Sequence, residues 1–172
     1  MPSTRDRLCG HVLWLTDREL FSLTMINATP HHVGCAVKRL EDTSALYADS
    51  LGLRRRTRTF DVTSQHVRVC FLQLATGFYL ELVSPLDDSA KLASFLKVGF
   101  YHLCFLVDDL ETARERLRSQ RFSPLPTFQS EAFAGAPCQF FVTPQLHLIE
   151  LAQMSPGAFA EFFAGNLLCQ QS

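Results

Sequence analysis

Two segments of this 172-residue chain repeat each other, about seventy residues apart. The first reads HHVGCAVKRLED at positions 31–42, and the second reads YHLCFLVDDLE at positions 101–111. When His32 is aligned with His102, a valine, a leucine and a glutamate that follow also coincide. An internal repeat of this kind predicts a fold assembled from two similar units that bury their apolar faces together.

A glutamate closes each repeat within an apolar segment. The first half contains YLELVSP, which includes Glu81, and the second contains HLIELAQ, which includes Glu150. Each glutamate follows its aligned histidine, His32 or His102, at nearly the same distance along the chain. The repeating unit therefore begins with a histidine on one apolar segment and ends with a glutamate on another.

The segments between the histidine and the glutamate follow the same order of patterns in both halves. Short runs rich in β-branched and aromatic residues predict strands, and the segments that begin at Leu40 and Leu110 have apolar residues at helical spacing. In the first helix these residues are Leu40, Leu46, Tyr47 and Leu51. We predict the order β-α-β-β-β given twice, which is an α+β fold of two βαβββ modules.

The repeat also sets the expected domain boundaries. The predicted domain spans residues 28–154, with one module at 28–85 and the other at 98–154. Residues 1–27 lack the repeat pattern and are expected to form an N-terminal extension of uncertain status, whereas residues 155–172 predict a C-terminal amphipathic helix. Its apolar stripe, in the core or at a subunit contact, consists of Phe159, Phe162, Phe163, Leu167 and Leu168.

Composition excludes some classes of function. The chain has 16 basic and 17 acidic residues, so it lacks the excess of positive charge with which proteins bind nucleic acids. It contains no apolar run long enough to cross a membrane, and its N-terminal residues do not resemble a signal peptide. The six cysteines form no CxxC pair, which favours reduced, buried thiols and a cytoplasmic location.

The duplicated histidine and glutamate predict a metal site. Two modules paired by pseudo-twofold symmetry would bring His32, Glu81, His102 and Glu150 into one concave surface, since strand residues alternate between faces. Imidazole nitrogens and carboxylate oxygens suit one divalent cation such as Zn, Co, Ni, Mn or Fe(II). A single strand histidine or glutamate is commonly an ordinary core or surface residue. The repetition of both favours the metal.

These residues carry a family resemblance. The segments HHVGCAV, YADSLGL, ELVSPLDDSAKLASFLKVGFYHLCFLVDDLE and HLIELAQ resemble the vicinal oxygen chelate superfamily, also called the glyoxalase/bleomycin-resistance fold, and within it the methylmalonyl-CoA epimerase-like proteins. The resemblance implies that the two modules form a curved eight-stranded cup around one divalent metal. It also implies that His32, Glu81, His102 and Glu150 are the four ligands.

The resemblance further implies a metal-dependent isomerase, epimerase or lyase that removes a proton next to a carbonyl group, such as that of an acyl thioester like methylmalonyl-CoA. The metal would stabilise the resulting enolate, and Glu81 or Glu150 would act as the catalytic base. Some family members have a catalytic glutamate on the strand that reads HVRVCFL here. We align Arg68 with that glutamate, and an arginine cannot serve as the base.

Other functions of the same fold stay open at this point. The chain could bind a small molecule or confer resistance without catalysis, with phenylalanines of the second half lining a cleft, or cleave aromatic rings with Fe(II). A homodimer is expected. Alternate arginines after the first helix would share one face of a strand, namely Arg54, Arg56 and Arg58. They would either hold the phosphate of a CoA ester or simply face solvent. His31 is expected to face away from His32.

Overall fold

A computed structural model of the protein describes residues 26–87, 92 and 95–168. Its eight strands are β1 (Ala28–Ala36), β2 (Phe60–Val62), β3 (Val67–Ala75), β4 (Phe78–Pro85), β5 (Phe100–Val107), β6 (Ser123–Ser130), β7 (Ala136–Val142) and β8 (Leu148–Gln153). Its helices are α1 (Leu40–Leu51), α2 (Leu110–Ser119) and α3 (Pro156–Gly165). Nearly all of the predicted N-terminal extension lies outside the described residues.

The eight strands form one sheet in the order β2-β3-β4-β1-β5-β8-β7-β6. Within each half, the first strand pairs in parallel with the last, β1 with β4 and β5 with β8. The halves join through an antiparallel pair, β1 with β5, in which Gly34 lies opposite His102. This topology is the predicted α+β cup of two βαβββ modules, and the fold prediction is confirmed.

Helices α1 and α2 cover the outer face of the sheet. Helix α1 buries Leu40 and Ser44 and ends at Gly52, whose φ of +71° suits a residue without a side chain. The prediction that Leu46 and Leu51 belong to its apolar face is wrong, because they are 59% and 65% exposed. Since Ser44 takes a core position of the helix, its buried face is rotated away from both leucines.

Helix α2 begins at a capping aspartate. The Asp109 side chain accepts hydrogen bonds from the backbone N–H groups of Glu111 and Thr112. The helix buries Leu110 and Ala113 against strands of the second half. None of the helices in the described part of the chain is long and apolar enough to cross a membrane.

Helix α3 packs inside the cup rather than outside it. Phe159 and Phe163 are 1% and 2% exposed, and their rings contact Tyr79 on β4 at 5.1 and 4.7 Å. The stripe on this helix therefore belongs to the core within the described residues. Leu168 is 47% exposed, and the last four residues of the predicted helix lie outside the described part of the chain.

A β-bulge precedes each histidine of the repeat. Strand β1 pairs Pro30 with Phe105 and His32 with Cys104, so His31 is an extra residue in its strand. Strand β5 has the corresponding irregularity at Tyr101. Because a bulge interrupts the alternation of side chains, His31 lies beside His32 instead of opposite to it. The expectation that the two histidines face opposite ways is wrong.

Candidate active site

The structure brings together all four polar residues of the repeat at the centre of the cup. His32 Nε2 lies 2.9 Å from His102 Nε2, 3.3 Å from Glu81 Oε2 and 3.4 Å from Glu150 Oε2. His102 Nε2 lies 3.6 Å from Glu81 Oε2 and 3.3 Å from Glu150 Oε2. Each half thus contributes two strands to the cluster, and each of these four strands directs one nitrogen or oxygen atom at a common point.

Each of these side chains is buried. His32 is 0% exposed, His102 5%, Glu81 6% and Glu150 4%. Neither glutamate has an arginine or lysine within ion-pair distance among the described residues, although buried carboxylates need a compensating charge. In the protein without a cation, the imidazoles alone must provide that charge.

Charge within the cluster shifts the pKa values accordingly. Burial by itself would lower the pKa of His32, but the carboxylates of Glu81 and Glu150 outweigh it and raise this pKa to about 9. Burial by itself would raise the pKa of Glu150, but hydrogen bonds from His102 and His32 outweigh it and hold the pKa below its usual value. The cluster therefore favours an ionised Glu150 carboxylate next to a protonated His32. A metal cation could take the place of the proton on that imidazole.

The donor set fits a divalent metal ion. Imidazole nitrogens and carboxylate oxygens bind zinc-like cations at about 2.0–2.2 Å, so neighbouring ligands stand roughly 3–3.5 Å apart. The separations of 2.9–3.6 Å in this cluster agree with that spacing. Two carboxylates also balance the charge of one divalent cation.

Gly34 lets the second histidine reach the cluster. A Cβ atom at this position would lie 1.9 Å from Cε1 and 2.2 Å from Nδ1 of His102, so the imidazole rests directly on the backbone of β1. The repeat pattern alone predicts no role for Gly34. A glycine inside a strand pattern is nevertheless a known signal of close approach to a backbone.

A cavity of about 370 Å³ opens beside the cluster, and Glu81 and Glu150 form part of its wall. Most of the remaining wall is apolar and comes from both halves. These apolar residues are Val62, Val67, Val69, Val83, Leu92, Phe95, Leu125, Phe128, Phe140, Val142 and Leu148. The other polar groups that line it are Gln65, Tyr101 and Ser130. Phe128 and Phe140 thus line the cavity, whereas Phe133 and Phe141 are core residues.

Tyr101 lines this cavity next to the cluster. Its ring lies edge-on to His102, with 4.5 Å between the ring centroids, because the bulge in β5 turns it toward the concave face. Burial, with the negative charges of Glu81 and Glu150, raises the pKa of the Tyr101 phenol well above its usual value. The phenol therefore stays protonated and can donate a hydrogen bond.

Arg68 does not face the cavity. It lies on the opposite side of β3, where its Nε donates to Asp61 Oδ1 at 3.1 Å. The residues of this strand that line the cavity are Val67 and Val69. Our alignment of Arg68 with a cavity residue is therefore wrong, because the strand alternates faces at this point. The cavity face of β3 still carries no acid.

The arginines after α1 are held by groups of the protein itself. Arg56 donates to the hydroxyl groups of Ser44 and Thr59 at 3.0 and 3.2 Å. Arg58 donates to Asn166 at 2.7 Å, and its guanidinium lies 4.3 Å from the centre of the Phe60 ring. These arginines precede β2, which begins only at Phe60, and the segment pairs through isolated β-bridges such as that of Arg56 with Leu72.

Comparison with known proteins identifies the family. Residues 31–141 match the model of the Glyoxalase/Bleomycin resistance protein/Dioxygenase superfamily. The chain belongs to this superfamily. It is 30% identical over 131 residues to the ethylmalonyl-CoA/methylmalonyl-CoA epimerase of Cereibacter sphaeroides, an alignment that covers 72% of this chain and 96% of that protein.

Two further comparisons point the same way. The chain is 30% identical over 110 residues to the mitochondrial methylmalonyl-CoA epimerase of Mus musculus, which covers 62% of this chain and 59% of that protein. The crystal structure of methylmalonyl-CoA epimerase from Mycobacterium tuberculosis has a TM-score of 0.65 at 28% identity and covers 78% of this chain and 93% of that one. The predicted superfamily and the predicted similarity to its methylmalonyl-CoA epimerases are confirmed.

Proposed function

We propose that the protein is a metal-dependent epimerase of short 2-alkylmalonyl-CoA thioesters, with methylmalonyl-CoA as its first candidate substrate. The observation that carries this proposal is the cluster of two histidines and two glutamates, with both glutamates in the wall of one mostly apolar cavity. The relatives support the substrate, because those named above are epimerases of methylmalonyl-CoA or ethylmalonyl-CoA.

In this proposal, His32, Glu81, His102 and Glu150 hold one divalent cation through the four atoms that already converge. When bound, the cation would supply positive charge next to the thioester carbonyl, which acidifies the neighbouring C–H group and stabilises the enolate. Zn, Co, Ni, Mn and Fe(II) all suit this donor set, and Co and Mn offer useful spectroscopic probes of it.

Glu81 and Glu150 are the proposed proton carriers. Each approaches the histidines with Oε2, and both side chains line the cavity in which the substrate would bind. One carboxylate removes the proton from one face of the α-carbon, and the other carboxyl, in its protonated form, returns a proton to the opposite face.

The absence of an acid on β3 strengthens this assignment. Val67 and Val69 occupy the cavity face of that strand, and among the described residues Glu81 and Glu150 are the acids that line the cavity. Tyr101 is placed to donate a hydrogen bond to an oxygen of the acyl group, which would help to hold the enolate in one orientation. The apolar wall suits the alkyl substituent and excludes water from the α-carbon.

The direct experiment uses one epimer of methylmalonyl-CoA. The metal-loaded protein is incubated with it in D₂O, and the product is analysed by chiral chromatography and mass spectrometry. We expect the second epimer to appear with one deuterium at the α-carbon. If a protein that holds one cation per chain gives neither deuterium incorporation nor the second epimer, with methylmalonyl-CoA or ethylmalonyl-CoA, the proposed reaction is wrong.

The finer properties expected from the sequence belong to this proposal as well. They are a homodimer, a cytoplasmic location and, as the nearest alternative reaction, a lyase of the glyoxalase type. Size-exclusion chromatography with light scattering tests the dimer, for which a mass near twice 19.4 kDa is expected. Assay with the hemithioacetal of methylglyoxal and a thiol tests the lyase, and turnover of that compound alone would replace the epimerase proposal.

A further inference from the structure

His31 makes a contact with the cluster that the repeat does not explain. Its Nδ1 lies 2.9 Å from Nδ1 of His32, and both imidazoles are buried, with 2% and 0% of their surface exposed. The bulge in β1 produces this contact, since it places two consecutive side chains on the concave face. In the second half, the residue at the matching position is Tyr101.

The chemistry of the cluster fixes the direction of this hydrogen bond. A neutral imidazole carries a proton on only one of its two nitrogens. If His32 Nε2 offers its lone pair to a cation, its proton lies on Nδ1 and is donated to Nδ1 of His31. His31 must then carry its own proton on Nε2, an atom that has no hydrogen-bond partner among the described residues.

We propose that His31 is a positioning residue, which accepts the Nδ1–H of His32 and so holds that imidazole with its Nε2 lone pair directed at the cation site. The inference rests on the proposed cation site and not on the substrate. Hydrogen-bonded partners of this kind fix the tautomer and ring orientation of metal-binding histidines, and their loss commonly weakens metal binding about 10–100-fold.

Aromatic rings hold His31 in place. Its ring centroid lies 4.0 Å from that of Phe159 on α3, 5.1 Å from that of Tyr79 and 5.4 Å from that of Phe133. The ring is therefore fixed in the core with its Nδ1 next to Nδ1 of His32.

The second half orients its histidine in a different way. His102 Nδ1 has no hydrogen-bond partner among the described residues, and its ring instead rests against the backbone at Gly34. The neighbouring Tyr101 meets that ring edge-on without a hydrogen bond to it. The two halves are therefore not equivalent at this position, and the residue before the histidine should matter for metal affinity in the first half alone.

The test measures cation affinity by competition with a chromophoric chelator, using Co²⁺ or Zn²⁺ and the full chain. We expect His31→Phe, which cannot accept a hydrogen bond, to bind the cation about 10–100-fold more weakly. His31→Gln supplies a carbonyl acceptor and should recover part of the loss. The visible spectrum of the Co²⁺ protein should shift in His31→Phe and move back toward wild type in His31→Gln.

Two matched controls separate positioning from packing. Phe133→Leu loosens the same aromatic surroundings but leaves the acceptor, and Tyr101→Phe changes the matching residue of the second half; both should keep cation affinity within about threefold of wild type. The proposal is overturned if His31→Phe binds the cation as tightly as wild type with an unchanged Co²⁺ spectrum. It is also overturned if wild type binds two cations with a thiolate absorption band, since His31, His32 and Cys104 would then be ligands of a second ion.

Discussion

Single residues decide whether the two histidines can meet at one cation. His102 reaches the centre of the cup only because Gly34 leaves room for its ring on the opposite strand. His32 reaches it while its Nδ1 is hydrogen-bonded to Nδ1 of the preceding residue, His31. A glycine and a bulge, neither of which carries chemistry of its own, thus determine the geometry of the donor set.

Replacing Gly34 with alanine should therefore displace His102. A Cβ atom 1.9 Å from the imidazole cannot be accommodated without moving the ring or the strand. We expect Gly34→Ala to reduce cation affinity by at least about tenfold, as measured by chelator competition. Gly157→Ala is the control, because a Cβ atom at that position meets nothing within 4 Å. Equal affinity in the two variants would show that His102 is not required.

Cation binding should release protons at neutral pH. In the cation-free protein the pKa of His32 is raised to about 9, so this imidazole is protonated at pH 7 and must lose its proton to become a ligand. The apparent affinity should rise with pH until about pH 9 and then level off. Calorimetry in buffers of different ionisation enthalpy measures the released protons; no proton release at pH 7 would contradict the charge state described here.

At the scale of the secondary-structure elements, helix α3 links the fold to the site. Phe159 packs against Tyr79 on β4 and against His31 beside the cluster, and it is 1% exposed. The helix begins at a serine cap, where the Ser155 hydroxyl accepts from the backbone N–H of Ala158 at 3.2 Å. The C-terminal segment thus closes one end of the concave face.

Removing the Phe159 ring should destabilise the protein and loosen the site. Phe159→Ala leaves a large cavity in the core and should cost about 3–5 kcal/mol in the free energy of unfolding. The control is Leu51→Ala, whose side chain is 65% exposed and whose loss should change that free energy by less than about 0.5 kcal/mol. Urea unfolding measures both. Equal stability of the two variants would place α3 outside the core.

The sequence predicts most of the elements and the four polar residues, because both follow from a repeat that is visible in one dimension. The positions of His31, Arg68 and Leu46 were predicted wrongly. Each error concerns the direction in which a side chain points. That direction depends on a bulge for His31, on strand register for Arg68, and on a polar residue at a core position of the helix for Leu46. Such choices depend on contacts between distant segments, and local alternation does not determine them.

At the scale of the whole molecule, the two halves share one site. Strands β1 and β5 pair at the centre of the sheet, and each half contributes one histidine and one glutamate to the cluster. A bound cation would therefore connect both modules. Because it binds the folded state and compensates two buried carboxylates, it should stabilise the entire fold.

Cation removal should lower the melting temperature. At a cation concentration 1,000 times the Kd, the stabilisation is about 4 kcal/mol, which corresponds to roughly 10 °C for a protein of this size. Differential scanning calorimetry before and after chelation measures the shift. His102→Asn should abolish most of it, whereas His147→Asn, at an exposed position, should retain it. An equal shift in both variants would contradict the assigned ligands.

The central claim is that one glutamate from each half carries the α-proton on its own face of the substrate. Deuterium exchange from each separate epimer of methylmalonyl-CoA tests it most directly, with variants loaded with cation to the same level as wild type. We predict that Glu81→Gln loses exchange from one epimer and Glu150→Gln from the other, and that each epimerises about 10²–10⁴-fold more slowly. Glu115→Gln, an exposed control, should behave as wild type. Full epimerase activity in a cation-loaded variant that lacks both carboxylates would contradict the claim.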